Sequence, residues 1–322
     1  MESLNYETLF QEVHILLGDK KYEEAYNLLT NNQDIEGGVL PRIYYYRFCL
    51  AALIGRKELG LKIIREAVVD NGFWYPDNFY LDTDLDILRN DGEFDKLLKI
   101  SKKNELEALD KSELRIKTVL PSKEYLKHPK LILFIHGKGP NLSYKQFLSI
   151  YDPIYHVDSL KEYILAIPLS SISSYAGCPD WVDISKGIAE IKTHLDNLVK
   201  QYKIRNEDIT MISFSYGATL LLEGYKKGVF NLSNIAFLEP YIERVEEKLE
   251  DIEIFKEKDM SIYVFCGDQD NLCIPTATAL SKKLSILNVR SEYKIEKGIG
   301  HEYPSDISVM FQKVIDFFEI KN

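Results

Sequence analysis

The sequence predicts an α/β protein: a doubly wound, mostly parallel sheet preceded by an all-α helical domain. Three observations carry that expectation. From about residue 112 onward, short continuous apolar runs of strand length alternate with longer amphipathic stretches. Residues 1–110 instead place apolar side chains at helical spacing throughout. Charge divides at the same point, with 13 basic and 21 acidic side chains in residues 1–110 against 27 and 29 in the rest. A length of 322 residues, set against a typical domain of roughly 150, agrees with two domains, 1–110 and 111–322.

In the first domain, LFQEVHILLGDKKYEEAYNLL places Leu9, Val13 and Leu16/Leu17 at helical spacing. The chain breaks at Gly18–Asp19 and resumes with Tyr22, Ala25, Leu28 and Leu29. YYYRFCLAALIGRKELGLKIIREAV repeats the arrangement around Gly55, 37 residues after Gly18. That spacing is near the roughly 34-residue period of helix–turn–helix repeats. Gly60 holds the place of Ala25, a small residue expected where two helices cross closely. The segment resembles degenerate tetratricopeptide-type repeats, with residues 81–99 as a closing element. Asp82, Asp84 and Asp86 lack the glycine and glutamate register of a calcium loop and read as acid at a helix start. NELEALDKSE, residues 104–113, reads as a linker.

The second domain opens with an expected hairpin leading into LILFI (131–135), apolar on both faces as a covered parallel strand must be. YILAI (163–167), ITMIS (209–213), IAFL (235–238), IYVFC (262–266) and EYKIE follow as strands. From about Asp183, Ile184, Ile188, Ile191, Leu195, Leu198 and Tyr202 form one buried stripe of a long helix. Only about two dozen residues, highly charged, separate IAFL from IYVFC, enough for one helix and too few for a large cap.

The chemistry concentrates at strand ends. In ITMISFSYGATLLLEGY, Ser215 sits on a turn between strand and helix, flanked at two residues by the small Ser213 and Gly217. The string resembles the nucleophile elbow of the α/β-hydrolase superfamily, G-x-S-x-G, with Ser213 in place of the first glycine. That resemblance implies an acid and a histidine downstream, in that order. GDQDNLCIP, after IYVFC, maps the acid onto Asp270, with Asp268 as the competitor in the same turn. His301, in KGIGHEYP, is the histidine that follows the final strand. HGKGPN (136–141) looks like the superfamily's HG motif, which implies an oxyanion hole from the amides of Lys138 and Tyr216, with Gly139 as the alternative to Lys138. His136 is then structural. The loop carrying Tyr175 and Trp181 often lines the substrate pocket in esterase and dienelactone-hydrolase-like branches, which makes these two the pocket candidates.

The resemblance therefore implies a serine hydrolase that cleaves a carboxylic ester or thioester through Ser215, Asp270 and His301, without a metal or cofactor. An acyl-peptide hydrolase or peptidase shares the same triad. An interaction protein, in which the helical repeats bind a partner and the hydrolase unit is accessory, is the reading from another class. A net charge of −10 argues against nucleic acid and against anionic membrane, and would direct any protein partner to the acidic helical domain. Four cysteines without CxxC spacing, and no run of about 20 apolar residues, point to a reduced cytoplasmic setting.

Overall fold

The first helix, α1 (Tyr6–Gly18), starts where a reciprocal cap satisfies two otherwise orphaned amides. Asn5 Oδ1 accepts the Thr8 N–H, and Thr8 Oγ1 accepts the Asn5 N–H. The structure, a computed structural model, describes residues 5–35, 38–138, 154, 156–304 and 306–320. They divide into two compact units.

One unit comprises the residues up to Ser112 together with Ser173–Pro179. After α1 come α2 (Tyr22–Asn31), α3 (Leu40–Leu53) and α4 (Lys57–Arg65), the last running on into a π-helical turn, Glu66–Asp70. Each of these helices packs on the one before it. Leu9, Val13, Ala25, Leu29, Phe48, Ile63 and Ile64 are buried in a shared core, as the helical spacing requires. A single turn, α5 (Asp77–Tyr80), and a 3₁₀ helix (Thr83–Leu88) follow. Asp82 caps the latter by accepting the Asp84 N–H, so the acidic run does open a helix.

Two expectations for this unit are corrected. Residues 104–110 are not linker but the end of α6 (Gly92–Asp110). Its Lys103–Glu107 pair lies at i,i+4, and Asn104 Nδ2 donates to the carbonyls of Val68 and Phe73, which ties the segment to the unit. Gly60 is less crowded than expected, since a Cβ there would sit 3.6 Å from Leu88 and from the Phe48 carbonyl, ordinary contact distances. Gly60→Ala should therefore stabilise the unit by about 0.5–1 kcal/mol through helix propensity alone. A melting curve that falls instead would mean the α3–α4 crossing cannot yield.

The other unit is built on a seven-stranded sheet, ordered β1-β3-β2-β6-β7-β8-β9. Its strands are β1 (Arg115–Val119), β2 (Lys130–Ile135), β3 (Tyr163–Leu169), β6 (Ile209–Phe214), β7 (Asn234–Leu238), β8 (Ser261–Gly267) and β9 (Arg290–Glu296). Between β3 and β6, the short β4 (Ser173–Tyr175) and β5 (Cys178–Pro179) pair with each other within the helical unit. The central strands are buried almost throughout, whereas β1 and β9 at the edges are partly exposed. Among the described strands of this sheet, β1 alone runs antiparallel, and its partner is β3 rather than β2. The expected opening hairpin is thus absent, because a 3₁₀ turn at Tyr125–Lys127 carries the chain past that edge before β2 begins.

Helix α7 (Ile184–Tyr202) buries Ile188, Ile191, Leu195 and Leu198 of the predicted stripe, leaves Ile184 and Tyr202 partly buried at its ends, and is capped by Asp183, which accepts the Lys186 N–H. Helix α8 (Gly217–Lys226) follows β6 directly. Two single turns, α9 (Val245–Lys248) and α10 (Ile254–Glu257), stand where one helix was expected between β7 and β8. Helices α11 (Ile274–Ile286) and α12 (Ile307–Glu319) complete the unit. Among the described residues, no helix is long and apolar enough to cross a membrane.

Candidate active site

In a parallel sheet, the loops that leave the C-terminal strand ends converge on one edge. Ser215 leaves β6 there, Asp270 leaves β8, and His301 follows β9. Ser215 adopts φ +51°, a left-handed conformation that a non-glycine residue occupies only when its surroundings impose it. Backbone bonds impose it here. The Ser215 N–H donates to the Leu238 carbonyl, and the Ser215 carbonyl accepts from Ala218 and Tyr241. A Cβ on Gly217 would lie 2.7 Å from the His136 carbonyl, and one on Gly137 would lie 2.8 Å from Ser215 Cβ. Both glycines are therefore required by close approach, and β2 and β6 meet at their ends without a side chain between them.

His301 Nε2 lies 2.9 Å from Ser215 Oγ, and its Nδ1 lies 2.6 Å from Asp270 Oδ2. Burial pushes the Asp270 carboxyl up, but hydrogen bonds from His301, Glu239 and Cys273 outweigh it and hold the group below the usual carboxylate range. Asp270 Oδ1 also accepts the Leu272 and Cys273 amides. An ionised Asp270 can only accept, so His301 carries its proton on Nδ1 and turns the Nε2 lone pair towards the serine hydroxyl. The Phe214 ring lies 5.2 Å from the imidazole and packs beside it. Asp268 is placed differently: it is exposed and accepts the Gly298 N–H.

His136 has both ring nitrogens occupied. Its Nδ1–H donates to the Gly137 carbonyl and its Nε2 accepts the Ser170 N–H. Burial depresses its pKa to about 4, so the ring is neutral. Trp181 stacks on it at 4.5 Å and donates from Nε1 to the His136 carbonyl. Trp181 is fully buried under the turn after β2, and Tyr175 is buried against Tyr75 and Phe79 in the helical unit. Neither pocket candidate is open to a ligand in this arrangement, and both side chains fill core space. Lys138 is exposed at the end of the HG turn, and Tyr216 stands between Ser215 and α8. Among the described residues, neither of their amides has a hydrogen-bond acceptor. Gly139 lies outside the described residues.

The sequence reading passed over Glu239 and Cys273. Glu239 ends β7 and is buried, with Oε1 accepting the Gly267 N–H. Its signal was an acid placed directly after an apolar strand and before proline, in FLEP. Cys273 Sγ lies 3.4 Å from His301 Nδ1. Among the described residues, metal-ligating atoms come within 4.8 Å of one another in three groups, Asp270–Cys273–His301, Glu239–Cys266–Asp270 and Cys49–Asp82–Asp84. Of the carboxylates involved, Asp270 already bonds His301, Glu239 the Gly267 N–H and Asp82 the Tyr45 hydroxyl. A cavity of about 1090 Å³ opens at the opposite edge, near the strand starts Asn234, Ser261 and Arg290, and does not include Ser215.

The sheet order, the Ser215 turn and the family match agree. Residues 5–109 match the family described as "A/B hydrolase-like, N-terminal domain". The chain is an α/β-hydrolase-fold protein. An uncharacterized protein from Bacillus cereus ATCC 10987 is 26% identical to this chain, with 99% of this chain covering 100% of that one at a TM-score of 0.55. The Bacillus cereus carboxylesterase is 16% identical, over 66% of this chain and 99% of its own, with a TM-score of 0.43. Acyl-protein thioesterase 2 of Zea mays is 16% identical, over 63% and 98%, with a TM-score of 0.47. No curated protein matches the sequence.

Proposed function

We propose that the protein is a serine hydrolase that cleaves a carboxylic ester or thioester through an acyl-enzyme. The observation that carries this reading is the unbroken hydrogen-bonded chain from Ser215 Oγ through His301 to Asp270. Ser215 Oγ attacks the carbonyl carbon while His301 Nε2 takes the hydroxyl proton. Asp270 keeps the imidazole in the required tautomer and balances the imidazolium charge. The Lys138 and Tyr216 amides are the donors for the oxyanion, with Gly139 as the alternative to Lys138. His301 then returns the proton to the leaving alcohol or thiol. Water, activated by the same histidine, releases the acid and restores the serine.

The single turns between β7 and β8 suit an uncapped site. The four cysteines are buried and form no disulfide, which suits a reduced compartment such as the cytoplasm. The test is a panel of p-nitrophenyl esters of graded chain length, run beside thioesters and aminoacyl amides. Ester or thioester turnover with no amide cleavage is expected. Preferential cleavage of the amides would replace the esterase reading with a peptidase.

A further inference from the structure

Glu239 is a carboxyl group that the proposed mechanism does not use, and it lies beside the group that mechanism depends on. It is 1% exposed and held at φ +45°, a conformation unfavourable for any non-glycine residue. Its own N–H donates to the Phe265 carbonyl at 2.8 Å, and its Oε1 accepts the Gly267 N–H at 2.8 Å. Cys266 Sγ reaches Oε2 at 3.0 Å. Glu239, Cys266 and Asp270 bring their polar atoms within 4.8 Å of one another. A strained backbone, an anchored Oε1 and full burial fix where this carboxyl points.

Two carboxyl groups buried this close do not both ionise. The donors decide which one keeps the charge. Asp270 receives two backbone amides and His301 Nδ1–H, whereas Glu239 receives one amide and a weak thiol donor. The other titratable groups that face Glu239 are Cys266 on β8, Cys273 after β8 and Tyr293 on β9, all acids, and none supplies a positive charge. We propose that Glu239 is a positioning residue of the triad, a buried carboxylic acid that keeps its proton and donates it as a hydrogen bond to the Asp270 carboxylate. With Oε1 occupied by Gly267, the proton resides on Oε2. Asp270 is then held from the sheet side by Glu239 and from the loop side by its own turn. This role presupposes the serine-hydrolase reading, whereas the position of the proton does not.

Burial, with the neighbouring Asp270 adding to it, pushes the Glu239 carboxyl up to about 8. The unfolded value is about 4.3. Between those values the unfolded chain has released a proton that the folded chain retains, so this group disfavours the folded state progressively as pH rises from about 4.3 to 8. Glu239→Gln cannot titrate, yet it retains an acceptor for Gly267 and an N–H for Asp270. The melting temperature of Glu239→Gln should therefore gain on the wild type across that range and then level off. A constant difference would overturn the proton assignment.

The positioning role is read from the rate at which a fluorophosphonate probe labels the protein. Glu239→Gln should label within about threefold of the wild type, and Glu239→Leu roughly tenfold or more slowly, as fits the loss of one hydrogen bond to a charged group. Wild-type labelling rates in folded Glu239→Leu would overturn the role. Should that variant not fold, labelling of Glu239→Gln more than tenfold slower would overturn it, because the amide preserves the donor. A wild-type protein that does not label would overturn the serine-hydrolase reading, and the melting series would still decide where the proton lies.

Discussion

Ser215→Ala is expected to lose roughly 10³-fold or more in kcat while remaining folded. The size follows from what is removed, since among the described residues no other hydroxyl or thiol is hydrogen-bonded to His301 Nε2. Folding should survive because backbone bonds hold the turn. The bonds from Ser215 N–H to Leu238, and from Ala218 and Tyr241 to the Ser215 carbonyl, are available to alanine unchanged. Alanine at φ +51° is no more strained than serine, so the melting temperature should move by only a few degrees, on the order of 2–4 °C. Hydrolysis, circular dichroism and fluorophosphonate labelling check the three parts separately. Labelling that persists in the variant would place the reactive nucleophile elsewhere and remove the proposed mechanism.

The sequence made the second unit legible because each signal was local. LILFI, YILAI, ITMIS and IYVFC are apolar on both faces, as the strands of a covered parallel sheet are. The order of Ser215, Asp270 and His301 was readable because each follows a strand, and the C-terminal ends of parallel strands share an edge. Distinctions that depend on partners far along the chain were not readable. Pairing of β1 with β3 instead of β2 is decided by strands roughly 50 residues apart, and the local string looked like a hairpin. Tyr175 shows the same limit. Its neighbours in sequence suggested a pocket loop, but Tyr75 and Phe79, roughly 100 residues earlier, surround it. Glu239 was overlooked because an acid ending an apolar strand has an ordinary solvent-facing explanation. Only the fold shows it buried against Asp270.

Asp270→Asn should cost about 10⁴-fold in kcat/KM, the scale on which a triad histidine in the wrong tautomer fails. An asparagine can keep the turn, because its carbonyl oxygen still accepts the Leu272 and Cys273 amides now bound by Oδ1. Its NH₂ then faces His301 Nδ1, which must become an acceptor, and the ring proton moves to Nε2. That nitrogen no longer offers Ser215 a lone pair, although every heavy atom stays in place. Asp268→Asn supplies the contrast. Asp268 is exposed, and its bond from the Gly298 N–H can be kept by an amide oxygen, so activity should stay within about twofold. Stability carries a separate signature with its own sign. Because the folded Asp270 carboxyl lies below its ordinary value, its contribution is present above about pH 3.9 and is lost as pH falls through the folded value. Asp270→Asn should remove that part of the acid sensitivity while Asp268→Asn leaves it intact. The reverse pattern of activities would transfer the acid's role to Asp268 and require His301 to turn away from the bond it now makes.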